Sequence, residues 1–215
     1  ERRIARLAPL VDIRRAAISC NEVDAPISEC KWPTYGSDIT SYENSFESVL
    51  GGKEIIEFIK ERSFPVVIDF MASSDTLSSL FRTIPDSPKF GLAVSLLDIR
   101  SDEQRGRDVK LGIEQITGDI LIAGTWKKIF ERLRGRKADL IMERAKGGLN
   151  CIPKDERLYA LLLKRAWELL NENKGILLLQ TSKSWTLQLN GVRIEEWIEH
   201  LEREGRINAL YKPRS

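Results

Sequence analysis

The sequence predicts an α/β fold, with a doubly wound, mostly parallel sheet of six to seven strands, helices on both faces, and an N-terminal extension. From residue 65 onward, short apolar runs alternate with segments of helical periodicity, which is the order expected of parallel βαβ units. Several of these runs are continuous, such as ADLIM (138–142) and GILLLQ (175–180), as is typical of strands covered on both faces.

The extension is expected to cover residues 1–52, and the α/β domain residues 53–215. The first residues of the extension have apolar side chains at a helical spacing, which Pro9 interrupts. The loop-like stretch that follows carries four aromatic residues, Trp32, Tyr35, Tyr42 and Phe46. Aromatic residues in a long loop indicate that it packs on another part of the chain. The segment KEIIEFIKER (53–62) then predicts an amphipathic helix.

Strands are predicted in the domain at 66–70, 91–96, 112–117, 138–142, 175–180 and 207–211, and SWTLQL (184–189) is a further candidate. Helices are predicted between them, at 75–82, 102–110, 125–134, 155–171 and 194–204. The helix at 155–171 has the most regular apolar stripe, and Gly175 follows its end.

The composition favours a cytoplasmic protein with a small-molecule or protein partner. There are 34 basic and 32 acidic residues, so the net charge is only +2. A protein held on nucleic acid by phosphate contacts usually has a larger basic excess, so nucleic acid is not favoured as a partner, although it stays open. Three cysteines without CxxC spacing favour free thiols and predict no metal site. No apolar run reaches the roughly 18 residues of a transmembrane helix, so no membrane partner is expected.

Acidic residues stand at the ends of the first three predicted strands. Ligands of open parallel sheets bind beyond the carboxyl ends of the strands, so Asp69, Asp98 and Asp119 are candidates for contact. Asp98 could accept from two ribose hydroxyls, and Asp119 from an adenine amino group. An acid is a poor neighbour for phosphate, which favours a nucleoside ligand. The alternative is that Asp98 and Asp119 are turn or capping residues, for which aspartate is equally suited.

At this level the chain resembles the class I S-adenosylmethionine-dependent methyltransferase family over residues 66–211. The matching stretches are VVIDFMASSDTL, LLDIR, ITGDI, DLIMERAKGGL and RAWELLNENKGILLLQT. The resemblance implies S-adenosylmethionine as the cofactor and a seven-stranded, mostly parallel sheet. Neither the methyl acceptor nor the oligomeric state follows from it.

The first motif departs from the family, which has Asp-x-Gly-x-Gly-x-Gly where this chain has DFMASSD (69–75). Serine is small enough for a ligand to approach the backbone, and Ser73 or Ser74 could cap the following helix. Asp75 is better explained as an acid favoured by the helix dipole than as a ligand contact. The resemblance implies cofactor contacts at Asp69, Met71, Ala72, Ser73, Ser74, Asp98, Asp119 and Ile120.

Glu143, after the fourth predicted strand, is the candidate base for methyl transfer. The stretch MERAKGGL stands where the amino-methylating enzymes of DNA and RNA have Asn/Asp-Pro-Pro-Tyr, which argues against that branch. The aromatic N-terminal segment could close over the cofactor or shape the acceptor pocket. The glycine-free loop leaves a second interpretation open: a methyltransferase-like domain without catalysis that serves as a binding or regulatory module.

Overall fold

The computed structural model describes residues 39, 54–70, 72–84, 87–95, 98–120, 122–143, 156–172, 175–179, 188–189, 192–193, 200 and 203–204. Helices lie at α1 Glu54–Lys60, α2 Asp75–Thr83, α3 Asp102–Lys110, α4 Ala123–Leu133 and α5 Glu156–Leu169. Strands lie at β1 Val66–Phe70, β2 Phe90–Ser95, β3 Ile113–Thr117, β4 Leu140–Glu143, β5 Ile176–Leu179, β6 Gln188–Leu189 and β7 Val192–Arg193.

The main sheet has five strands in the order β3-β2-β1-β4-β5, and every neighbouring pair is parallel. The predicted α/β fold with a parallel sheet is therefore confirmed. All five residues of β1 are buried, which explains why the strand reads as an unbroken apolar run apart from Asp69. The predicted strand at 207–211 lies outside the described residues. From SWTLQL, residues 188–189 do form a strand, but it pairs with β7 in a separate antiparallel sheet.

Backbone geometry sets the ends of the elements within a few residues of their predicted positions. Strand β3 begins after Gly112, because this glycine has φ +74° and cannot continue an extended strand. Helix α4 ends where Arg134 turns into the left-handed region at φ 51° and Gly135 follows at φ 79°. Helix α3 begins with a capping box, in which Ser101 and Gln104 bond each other's backbone N–H groups.

The hydrophobic core draws α2 close to the sheet. A Cβ atom on Gly91 would lie 2.9 Å from Cε2 of Phe81 and 3.3 Å from Cδ1 of Leu77, so glycine at this strand position permits the contact. Ile39 from the N-terminal extension is buried in the same cluster, and its N–H donates to Oγ of Ser79 at 3.2 Å. The four aromatic residues of the extension lie outside the described residues.

The amino edge of the sheet is fastened by Asp139. Its Oδ2 accepts from the Val66 N–H at 3.0 Å, and its own N–H donates to the Val66 carbonyl at 2.8 Å. Asn171, which follows α5, donates to Oδ1 at 3.4 Å. A single buried carboxylate thus joins the starts of β1 and β4 to the end of α5. None of the described helices is long and apolar enough to cross a membrane.

Candidate functional site

The strand order places the candidate site at the carboxyl ends of β1 and β4. The chain runs outward from β1 through β2 to β3, and then returns to the other side of β1 as β4. Phe70, the last residue of β1, pairs with Val94 on one side and with Glu143 on the other. In open parallel sheets, such a reversal of strand order opens the crevice in which ligands bind. The loop after β1 and the end of β4 therefore lie side by side.

Strand β1 and the loop after it hold five of the eight predicted cofactor residues, Asp69 in the strand and residues 71–74 in the loop. Asp69 is fully buried, and its partners in register are Ala93 and Met142. Ala72 and Ser73 are half-buried, whereas Ser74 is buried. Met71 and the side chain of Glu143 lie outside the described residues. The small side chains at 72–74 leave the backbone of this loop as the surface that a ligand would approach.

The two serines do not cap the helix as the sequence suggested. Ser74 occupies the N-cap position of α2, but it has helical backbone angles of −69° and −1°, and its side chain makes no capping bond. The hydroxyl of Ser73 instead donates to Oδ2 of Asp75 at 2.8 Å. Both hydroxyls are therefore uninvolved in capping, because the backbone at Ser74 is not in the extended conformation that an N-cap residue usually adopts.

Asp75 lies in the first turn of α2, as expected of an acid favoured by the helix dipole. Its Oδ1 also accepts from Nε2 of Gln104 at 3.3 Å, which joins the N-terminal ends of α2 and α3. An acid in this place supplies the negative charge that the dipole favours. A ligand carboxylate would meet repulsion there, so the helix N-terminus favours a neutral or cationic group of the ligand.

Asp98, after β2, is engaged by two arginines. Its Oδ1 accepts from the N–H of Arg100 at 3.1 Å and from Nε of the same residue at 2.9 Å. Its Oδ2 accepts from Nη2 of Arg100 at 3.0 Å and from Nε of Arg105 at 3.4 Å. A carboxylate has about four acceptor positions, so all of them are filled in this arrangement.

Arg100 extends this pairing into the protein interior. Its Nη1 donates to Oδ2 of Asp108 at 2.8 Å, and Oδ1 of Asp108 accepts from the Ser78 hydroxyl at 2.7 Å. Only 10% of the Arg100 side chain and 2% of the Asp108 side chain are exposed. The hydrogen bond from Arg100 lowers the pKa of Asp98 to about 2, and the same bond raises the pKa of Arg100.

The loop after β3 is tied to the end of β1 through Trp126. The indole Nε1 donates to the carbonyl of Ile120 at 2.6 Å, and the indole packs on Phe70 with ring centroids 5.5 Å apart. Asp119 is half-buried, and its carbonyl accepts from the Ile122 N–H at 3.0 Å, as in a turn. Trp126 thus connects the loop that carries the predicted cofactor residues Asp119 and Ile120 to the end of β1.

Sequence reasoning missed three side chains that shape this site: Arg100, Arg105 and Trp126. The helix predicted at 102–110 has the bounds of α3, and the capping-box pattern SDEQ (101–104) is a sequence signal that could have located its start. An arginine two residues after an aspartate is too common to reveal a bidentate ion pair. Trp126 likewise reads as one more apolar residue of an amphipathic helix.

Neither a model of a known protein family nor a curated protein matches this chain. The chemistry of the site therefore has to be inferred from its own residues. Among the described residues, no group of three or more His, Cys, Asp or Glu side chains could hold a metal ion. The described carboxyl edge has a loop of small residues after β1, Asp98 after β2 with its acceptor positions taken by arginines, and Asp119 after β3.

Proposed function

We propose that the chain is a class I S-adenosylmethionine-dependent methyltransferase that acts on a small-molecule or protein acceptor in the cytoplasm. One observation carries the proposal: the strand order β3-β2-β1-β4-β5 opens a crevice beside β1, and acidic residues follow β2 and β3 next to it. We further propose that the complete sheet has six to seven strands with helices on both faces.

The predicted cofactor residues would each contact a different part of S-adenosylmethionine. Asp98 would accept from the ribose, Asp119 from the adenine amino group, and Ile120 would lie against the base. Met71, Ala72, Ser73 and Ser74 would bind the amino-acid end of the cofactor, with the ammonium group of the ligand, rather than its carboxylate, toward Asp75. When bound, the cofactor supplies a methyl group on a sulfonium that is a good leaving group. The residues present fit this ligand in size and hydrogen-bonding character, because the loop is small and the strand ends are acidic.

Glu143 would accept the proton that the methyl acceptor loses. Its backbone lies at the end of β4, paired with Phe70 and Leu179, so it lies beside the residue from which the loop after β1 starts. Direct methyl displacement requires mainly that the acceptor be held in line with the methyl group, with a base in reach. The aromatic N-terminal segment is our candidate for the cover over the acceptor.

Transfer of a labelled methyl group from S-adenosylmethionine to fractions of small molecules and of proteins tests the activity. Wild-type protein should label at least one fraction, and Glu143→Gln should lower the rate about 100-fold, the usual scale for losing a general base. Binding of S-adenosylhomocysteine should be the same in both proteins. Labelling that is undiminished in Glu143→Gln would remove this residue from the mechanism.

The second candidate function is a methyltransferase-like binding module without catalysis. Two observations favour it: Arg100 and Arg105 fill the acceptor positions of Asp98, and Asp75 stands where the family motif has glycine. Such a module would label no fraction at all. It would either bind S-adenosylhomocysteine without turnover or fail to bind it.

A further inference from the structure

The two arginines on Asp98 are held very differently. Only 10% of the Arg100 side chain is exposed, and its third nitrogen is bound to Asp108, which is buried. Moving Arg100 away would leave the Asp108 carboxylate in the interior without its cation, which is strongly unfavourable. Arg105 is 47% exposed, lies 3.4 Å from Asp98, and shares its guanidinium with the exposed Asp102. Exposed pairs of this kind contribute only about 0–1 kcal/mol.

The difference between the two arginines determines which acceptor position of Asp98 a ligand can use. Both acceptor positions on Oδ1 are occupied by Arg100, through its backbone N–H and its Nε. On Oδ2, one position is occupied by Arg100 and the other by Arg105. The position under Arg105 is therefore the one that a hydroxyl group can take without disturbing the buried network.

We propose that Arg105 competes with the ligand for Asp98, so that Asp98 offers one acceptor position on Oδ2 to one ribose hydroxyl. This inference rests on the proposed function, because it takes the ligand to be a nucleoside. It replaces the expectation that Asp98 accepts from two hydroxyls. Arg105 is by this account a residue that sets ligand affinity without belonging to the binding surface itself.

A matched pair of variants on α3 tests the competition. Arg105→Met removes the competing donor, and Arg107→Met removes the same charge from the same helix. Arg107 is 54% exposed and pairs with Glu103 rather than with Asp98. Calorimetric titration with S-adenosylhomocysteine should give about 2- to 5-fold tighter binding for Arg105→Met, on the scale of an exposed ion pair. Arg107→Met should bind like the wild type.

Ionic strength provides a second readout, because salt screens exposed ion pairs. The difference in affinity for S-adenosylhomocysteine between wild type and Arg105→Met should become smaller at high salt, because salt weakens the ion pair between Arg105 and Asp98 in the wild-type protein. If Arg105→Met and Arg107→Met bind S-adenosylhomocysteine equally, the competition is refuted while the proposed function stands. If no protein of the set binds it, the proposed function fails and the competition fails with it.

Discussion

The guanidinium of Arg100 spans both oxygens of Asp98, with Nε 2.9 Å from Oδ1 and Nη2 3.0 Å from Oδ2. This bidentate pair joins the end of β2 to the interior, because the remaining nitrogen of Arg100 reaches Asp108 on α3. The residue predicted to receive the ligand is thus also part of the framework that positions the loop between β2 and α3.

Because of the Asp98–Arg100 pair, the free energy of unfolding should decrease as the pH falls into the acidic range. The pKa of Asp98 is lowered from 3.8 to about 2 in the folded protein, so the folded state favours the ionised carboxylate. Its contribution is present in full above about pH 4 and is lost as the pH falls through about 2. Urea unfolding between these values should show a steeper loss of stability in the wild type than in Asp98→Asn. Equal pH slopes would contradict the pairing.

Removing Asp139 should weaken the amino edge of the sheet without touching the site. In Asp139→Ala the buried Val66 N–H loses its side-chain acceptor, which should cost about 1–3 kcal/mol in the free energy of unfolding. Glu131→Ala is the control, because Glu131 is an exposed acid on α4, and it should change stability by less than about 0.5 kcal/mol. Urea denaturation measures both, and equal effects would refute the fastening role.

A side chain at Gly118 should destabilise the protein as long as Thr125 keeps its own side chain. A Cβ at this position would lie 2.5 Å from the Oγ1 of Thr125, which is buried. We expect Gly118→Ala to destabilise the protein by about 1–3 kcal/mol and Thr125→Ala to restore part of that loss in the double variant. Gly124→Ala, where the nearest atom to a new Cβ is 3.9 Å away, serves as the control and should not destabilise. Thermal unfolding that showed simple additivity would rule out the clash.

Trp126→Phe should separate ring packing from hydrogen bonding. Phenylalanine keeps an aromatic ring beside Phe70 but leaves the Ile120 carbonyl without the indole donor. The expected loss is about 1 kcal/mol of stability, together with weaker binding of S-adenosylhomocysteine, because the loop with Asp119 and Ile120 is no longer fixed. If stability falls and calorimetric affinity does not, this loop lies outside the ligand site.

The parallel sheet was predictable because its central strands are buried and therefore largely apolar, whereas the edge strand β3, IEQIT, is only partly buried. Boundaries were less predictable, since they depend on single backbone conformations such as the positive φ of Gly112. Helix α4 begins at Ala123, two residues before the predicted start, and its N-cap residue is Ile122, an apolar side chain that gives no capping signal.

The partners of the site residues were not predictable in the same way. The sequence predicted Asp98 as a ribose contact or as a turn or capping residue, whereas its pairing with Arg100 and Arg105 depends on how the turn after β2 and the first turn of α3 place their side chains. Likewise, Gln104 meets Asp75 across 29 positions of sequence, a contact that local patterns do not encode. The sequence was sufficient to predict which residues lie at the strand ends. The charged side chains that surround each of them became known only from the structure.

Calorimetric titration of the full chain with S-adenosylhomocysteine tests the central claim most directly. We expect one binding site per chain, with affinity lowered by Asp98→Asn, because a neutral amide accepts a ribose hydroxyl less strongly than a carboxylate does. Asp139→Asn, at the opposite edge of the sheet, should bind as the wild type does. Saturable binding with this pattern supports a nucleoside site beside β1. The absence of binding heat in the folded wild-type protein, confirmed by an unchanged melting temperature at excess ligand, would contradict the account.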